Sequence, residues 1–268
     1  MPDLFVLSEG TSPLLINFPH SGTMLPDDIA ARMTPVARQL PDTDWHVDQL
    51  YSFAAGHGAT TLKATLSRYV IDLNRDPGGQ SLYPGQATTG LVPTELFDGP
   101  PVYKKNPPDS EDIKTRRESY FDPYHAELSA QIARIKALHG YCVLYDAHSI
   151  ASNVPRLFEG ELPVLNLGTN SGQSCAPEIE QAASKAMTGQ NAYKAVSNGR
   201  FKGGWITRHY GQPDHGVHAL QMELAQRAYM DEATGQYDKA RAARLQPVLS
   251  GILTAALDAA DNLHREPV

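Results

Sequence analysis

Tyr141-Cys142-Val143-Leu144-Tyr145-Asp146-Ala147-His148-Ser149 follows Gly140 as a near-continuous apolar run, meets Asp146, and delivers an imidazole and a hydroxyl directly beyond it. Unbroken apolar runs of this length suit strands covered on both faces. An earlier stretch, Leu14-Leu15-Ile16-Asn17-Phe18-Pro19-His20-Ser21-Gly22, repeats the pattern and also ends in His-Ser. In open α/β sheets the ligand crevice lies outside the carboxyl ends of the strands. Two strands that present His20 and His148 at the same edge therefore point to a metal site. Either histidine alone is more often a satisfied core or loop residue; the matched pair carries the reading.

Working outward, strands are expected at 14–18, 60–64, 68–73, 141–145, 164–167 and 217–223. Helices are expected between them. Residues 123–139 place Leu128, Ile132, Ile135 and Leu138 at helical spacing, with Gly140 as the stop. Residues 177–187 open with Pro177 in the first turn, followed by Glu178 and Glu180, which complement the helix dipole. Residues 246–263 put Leu249, Ile252, Leu253, Leu257 and Leu263 on one broad face, with Pro247 in the first turn. This alternation predicts an α/β fold: a mixed, mostly parallel central sheet with helices on both faces. One domain spanning 1–268 is expected. The stretch 77–111 is dense in glycine and proline, with Asp98-Gly99-Pro100-Pro101 and Asn106-Pro107-Pro108. It reads as a long surface excursion, either a functional loop or an ornamental insertion.

The composition, 41% hydrophobic and 20% charged, is that of a globular protein. A formal charge of −7 argues against a general nucleic-acid or anionic-membrane binder, but it leaves room for a small anion held by local arginines. Cys142 and Cys175 make no disulfide scaffold. Met1-Pro2-Asp3-Leu4 shows no basic region followed by an apolar stretch, and no apolar run approaches the roughly 20 residues of a membrane span. A cytoplasmic location is expected. No Gly-x-Ser-x-Gly, Gly-x-x-x-x-Gly-Lys-Ser/Thr, strand-borne Gly-x-Gly-x-x-Gly or His-Glu-x-x-His occurs, which sets aside the commoner hydrolase, nucleotide and zincin readings.

A catalytic zinc takes three protein ligands and keeps an open position. His20 and His148 supply two. The third is sought in Asp42-Thr43-Asp44-Trp45-His46-Val47-Asp48, where spacing leaves Asp42, Asp44, His46 and Asp48 all open; a helix N-terminus would also explain these aspartates. Glu223 closes a mostly apolar strand, where a carboxylate is hard to explain as packing. It is a candidate general base, with pairing to Arg227 as the plainer alternative. Asn74-Arg75, at the end of the segment that begins at Arg68, suits a substrate carboxylate, because arginine binds carboxylates through a planar fork. Asn166-Leu167-Gly168-Thr169-Asn170 offers a second polar surface. The glycine-rich run 198–211 offers a third, with Arg208 as the preferred anion contact and Arg200 and Lys202 read as solvated surface.

Together, Phe18-Pro19-His20-Ser21-Gly22-Thr23, Pro41-Asp42-Thr43-Asp44-Trp45-His46, 67–75, Asp146-Ala147-His148-Ser149, 166–170, 198–213 and Glu223-Leu224-Ala225-Gln226 resemble the N-formylglutamate amidohydrolases of histidine degradation over nearly the whole chain. More distantly the chain is similar to zinc carboxypeptidases and related deacylases. In those, an early histidine, an Asn-Arg pair, a His-Ser and a late glutamate occur in the order of His20, Asn74-Arg75, His148-Ser149 and Glu223. The resemblance implies a zinc-exopeptidase-like fold of the phosphorylase/hydrolase type, with one catalytic zinc ion per chain. It departs in one respect: the carboxypeptidases draw two ligands from His-x-x-Glu, whereas three residues after His20 stands Thr23. The second ligand must therefore move, and the resemblance favours Asp44 beside His20 and His148. It further implies Glu223 as catalytic base. It implies N-formyl-L-glutamate as substrate, held by residues drawn from Arg68, Asn74, Arg75, Asn166, Thr169, Asn170 and Arg208. The alternatives are a deacylase or carboxypeptidase acting on another N-acyl amino acid, or a metal- or amino-acid-binding protein without catalysis. A pure binder would have no need of Glu223.

Overall fold

The computed structural model describes residues 3–81, 85 and 88–265. Its central sheet contains β1 (Phe5–Ser8), β2 (Leu14–Phe18), β3 (Thr60–Ala64), β4 (Cys142–Ile150), β5 (Leu165–Gly168), β6 (Ala195–Ser197) and β7 (Val217–Ala225), in the order β1-β3-β2-β4-β7-β5-β6. The inner strands β3, β2, β4 and β7 run parallel. β1 is antiparallel to β3, and β5, parallel to β6, is antiparallel to β7. Helices α1 (Asp27–Arg32), α2 (Val47–Leu50), α3 (Ser110–Arg116), α4 (Asp122–His139), α5 (Pro177–Thr188), α6 (Trp205–Tyr210) and α7 (Lys239–His264) surround it, and β8 (Met230–Asp231) and β9 (Gln236–Tyr237) form a separate hairpin. This is the expected mixed, mostly parallel α/β sheet. No helix among the described residues is long and apolar enough to cross a membrane.

The strand period of two divides the apolar runs between two cores. On β4, Val143, Tyr145 and Ala147 pack with Ile179 of α5 and Leu249 and Leu253 of α7. Cys142 and Leu144 pack with Leu128 and Ile132 of α4. β7 does the same, with Leu220, Met222 and Leu224 on the α5–α7 side and Val217 and Ala219 on the α4 side. On the α4 side the apolar residues stop before the strands do. The next positions on that face are Asn17, Asp146, His148, Gln221 and Glu223, and the register pairs Asn17 with Asp146, Asp146 with Gln221, and His148 with Glu223. Period and register alone thus collect five polar side chains on one face, toward the carboxyl ends of the parallel strands.

Several boundaries differ from expectation. β4 continues to Ile150 and β7 to Ala225, so His148 and Glu223 lie within paired strands. The segment 68–73 is not a strand. Its backbone is satisfied by turns and side chains: Val70 N donates to Ser67 O, Asp72 N to Leu91 O, and Arg116 Nη1 to Val70 O. α7 begins seven residues early, because Asp238 caps it by accepting from Ala240 N and Arg241 N, and Pro247 lies inside the helix. Of the excursion 77–111, residues 82–84 and 86–87 lie outside the described residues. The described part contributes Leu91, Val92, Leu96, Val102 and Tyr103 to the α4-side core.

His125 of α4 anchors the chain leading into the site. Its Nε2 donates to the Leu73 carbonyl at 2.9 Å, leaving Nδ1 to accept from the Tyr210 hydroxyl at 3.0 Å. Burial pushes this histidine down from its usual 6.5 to about 4, against the partial support of the Leu73 carbonyl. Between those values the unfolded chain takes up a proton that the folded chain refuses. This contribution to stability is therefore complete above the unfolded value and declines as pH falls, until the folded ring protonates near 4. The difference corresponds to roughly 3 kcal/mol. The melting temperature of the wild type should fall more steeply than that of His125→Gln between about pH 7 and about pH 4.5. Parallel curves would show that His125 does not couple proton uptake to folding.

Candidate active site

His20 stands in the turn just after β2, His148 on β4, and Asp44 in the loop that leads into α2. The sheet fixes the first two. The loop is tied down by Asp44 N donating to His20 O at 3.1 Å, by Gln226 Nε2 donating to Thr43 O at 2.9 Å, and by the Tyr229 hydroxyl donating to Trp45 O at 2.7 Å. One donor atom from each of His20, Asp44 and His148 lies within 4.8 Å of the others, and all three residues are buried, so this group could hold a metal ion. The other candidates in the acidic cluster face elsewhere. Asp42 accepts from Phe97 N, His46 bonds the Gly235 carbonyl, and Asp48 pairs with Lys63.

Each imidazole is oriented by a carboxylate behind it. His20 Nε2 meets Asp72 Oδ1 at 2.7 Å, and His148 Nε2 meets Asp146 Oδ2 at 2.8 Å. Both rings therefore turn Nδ1 toward Asp44, at 3.8 Å for His20 and 2.9 Å for His148. This is the arrangement in which an outer carboxylate fixes the tautomer and raises the basicity of a metal-binding imidazole. The carboxylates are braced in turn. Asp146 accepts from Asn17 at 2.8 Å and Asn74 at 3.0 Å, and Asp72 accepts from Arg68 Nη2 at 2.6 Å and from Asn74 N at 2.9 Å. Gly204 lies so close to the Asn74 amide that a Cβ there would stand 2.4 Å from it.

The electrostatics favour a cation at the point of convergence. Asp44, Asp72 and Asp146 are all buried, and the buried positive charge nearest them is Arg68. Burial works against a charged His148, yet Asp146 and Asp44 prevail and raise it well above its ordinary value. Burial and Arg68 keep His20 low. Desolvation would raise Asp72, but Arg68 and Arg75 hold it well below the usual carboxylate range. Asp44 is likewise held low, against burial, by the His148 hydrogen bond and the charge of His20. His148 Nδ1 and the Asp44 carboxylate thus face each other at 2.9 Å, where a metal ion could be held between them.

Glu223 faces His148 across the β4–β7 ladder. Burial, the largest influence, pushes it up to about 8; Asp44 and Asp146 add to this, while His148 and Arg68 oppose it. A carboxyl poised near neutrality is suited to general acid–base work. Arg227 does not pair with it: its Nη2 lies 3.4 Å from Glu161 and donates to Leu162 O.

His20, Asp44, His148, Glu223, Arg68, Asn74 and Arg75 share one cavity wall. Within it, Asn74 is a brace whose Nδ2 holds Asp146 and whose Oδ1 accepts from Ile206 N. Arg75 is fixed by Thr89 through Nε and Nη2. The remaining expected substrate contacts lie off this wall. Asn166 Nδ2 ties Pro163 O to Glu223 O, Thr169 is bonded by Asn198, Asn170 by Gln173, and Arg208 Nε donates to Gly203 O. They shape the turns behind the cavity. Arg200, read from sequence as solvated surface, is instead part of the lining, together with Phe97 and Gln221. The roles of Asp72 and Asp146 were not drawn from sequence. The available signal was a lone carboxylate inside each of two apolar runs, which is rarely buried without a partner.

The profile of a family described as N-formylglutamate amidohydrolase matches residues 12–230. The chain is 49% identical over 233 residues to an N-formylglutamate deformylase of Pseudomonas aeruginosa, covering 87% of each. It is 45% identical over 259 residues to one of Pseudomonas putida, covering 96% of this chain and 97% of that one. Among solved structures it is similar to an N-formylglutamate amidohydrolase from Ralstonia eutropha JMP134, with a TM-score of 0.78 at 26% identity and 98% coverage of both chains. A gene product of Agrobacterium tumefaciens shares the fold, with a TM-score of 0.69 at 16% identity, over 94% of this chain and 95% of that one.

Because the outer carboxylates set the imidazoles, Asp72→Asn and Asp146→Asn should each weaken metal binding about ten- to a hundredfold. Asp44→Ala should weaken it further, whereas Asp48→Ala, which removes only the Lys63 pair, should leave it unchanged. Metal titration of the purified variants measures this. Unaltered affinity in both asparagine variants would show that the histidines need no carboxylate behind them.

Proposed function

Because this chain belongs to the N-formylglutamate amidohydrolase family and hydrolyses N-formylglutamate, we propose that it does so with one zinc ion per chain, held by His20, Asp44 and His148, as a step of histidine degradation. The observation that carries the metal assignment is the pair of imidazoles, each backed by a buried carboxylate and each turning its other nitrogen to Asp44. Two nitrogens and one carboxylate oxygen fit the donor set of a catalytic zinc site. Zinc bound there would supply Lewis acidity toward the formyl carbonyl and a nucleophilic water at neutral pH.

The chain's own residues supply the rest. Glu223 faces His148 across the ladder, within the same cavity wall. As water adds to the formyl carbon, Glu223 takes the proton released. When the C–N bond breaks, it returns that proton to the departing nitrogen, leaving formate and L-glutamate. Arg75, immobilised by Thr89, meets a substrate carboxylate and holds the amide in line with the ligating group. Asn74 acts indirectly, by bracing Asp146 behind His148. The negative net charge of the protein is no obstacle to this dianion, because the cations that meet it are local.

Glu223→Gln preserves shape but cannot accept the proton. Turnover should fall by about 10²- to 10⁴-fold, with metal content and melting temperature near wild type. Formate release from N-formyl-L-glutamate measures the first, and removal of metal by a chelator should abolish it in the wild type. Full turnover in Glu223→Gln would move the base elsewhere, and chelator-resistant turnover would remove the metal from the mechanism.

A further inference from the structure

The substrate carries two carboxylates, and Arg75 accounts for one. Arg75 Nη1 lies 3.8 Å from Asp72 Oδ2, and Asp72 holds His20, so this arginine stands close behind the ligating group. The α-carboxylate is separated from the scissile nitrogen by a single carbon and belongs on this side. The side-chain carboxylate lies two methylenes farther out and calls for a second cation on the cavity wall. Arg68 is deeply buried, with Nη2 on Asp72 at 2.6 Å. Arg208 lies off the wall, bonded to Gly203 O.

We propose that Arg200 binds the side-chain carboxylate and thereby sets the preference for a dicarboxylate, an inference that rests on the reading of this site as an N-formylglutamate hydrolase. Arg200 lines the same cavity as Arg75. Its Nε donates to the Leu157 carbonyl at 2.7 Å, and its Cζ stands 5.4 Å from the centre of the Phe201 ring. A backbone carbonyl and an aromatic ring hold a long, flexible side chain in one orientation, so less freedom is lost when an anion binds. Leu157 and Phe201 pack against Ile150 in a small apolar cluster, and all three face the cavity. That wall suits the two methylenes between the carboxylates, and a guanidinium beside it can meet a carboxylate through a charge-assisted hydrogen bond. The cavity thus has an ionic end at Arg75 for the α-carboxylate and an apolar flank ending in a second guanidinium.

The test compares N-formyl-L-glutamate with N-formyl-L-glutamine, which has the same shape without the second charge. In Arg200→Gln the kcat/KM for the glutamate substrate should fall about ten- to a hundredfold, mostly through KM, because the lost contact is remote from the reacting bond. Hydrolysis of the glutamine analogue should be unchanged or faster. Arg200→Lys should recover part of the loss. Arg75→Gln, by contrast, should impair both substrates alike. A drop of less than about threefold in Arg200→Gln, or an equal drop on both substrates, overturns the inference. Where the wild type does not turn over the glutamine analogue, a loss confined to kcat, or one that Arg200→Lys leaves unrelieved, overturns it equally. Absence of formate release by the wild type would instead defeat the underlying functional reading, so the two failures are distinguishable.

Discussion

Buried negative charge is the constraint around which this molecule is arranged. Asp44, Asp72 and Asp146 are taken out of water within one group, a costly arrangement unless cations and donors compensate it. Arg68, Asn17, Asn74 and the two imidazoles are the compensation. Much of the neighbouring structure follows from seating them. Tyr124 reaches from α4 to bond Asn17, Gly204 leaves room for the Asn74 amide, and in the unpaired segment 68–73 Arg68 turns back on Asp72. The same excess of carboxylates makes the point of convergence attractive to a dication.

The sheet and its principal helices were legible in sequence because apolar runs and helical spacing are local signals. The His20 and His148 motifs were legible for the same reason: a polar residue that interrupts a buried run stands out. What failed were inferences that depend on partners far along the chain. Residues 68–73 carry a strand-like apolar pattern, yet tertiary hydrogen bonds from Leu91 and Arg116 override it. Pro247 suggested a helix start, but Asp238 supplied a better cap farther upstream. In the acidic cluster 42–48, spacing left four ligand candidates open, and only the tie between Asp44 N and His20 O, with Ser149 N on the Asp44 carboxylate, distinguishes one. In the glycine-rich run the sequence favoured Arg208 as the anion contact and Arg200 as solvated surface, and the cavity lining reverses that order. Their backbone partners, Leu157 O for Arg200 and Gly203 O for Arg208, lie in different places, and no local pattern announces that.

The polar face of the sheet shows how economical the geometry is. Asn17, Asp146, His148, Gln221 and Glu223 come from three adjacent parallel strands, and pairing register alone brings them side by side. A one-residue slip in any of these strands would turn its polar residues into the α5–α7 core. The hydrophobic pattern that stabilises the fold therefore also guards the position of Glu223 relative to His148, and the two properties cannot drift independently.

The loop origin of Asp44 has a kinetic consequence. Two of the three donors are held on or directly beside paired strands, while the third arrives on a loop with no strand pairing, held by hydrogen bonds to His20, Arg68, Tyr69, Phe97, Ser149, Gln226 and Tyr229. Such bonds can open locally without disturbing the sheet. Exchange of an ion at the proposed site would then require opening of residues 41–46 alone rather than global unfolding. The protein would behave as a preassembled jaw with one hinged tooth, able to exchange its ion while the remainder of the scaffold stays shut.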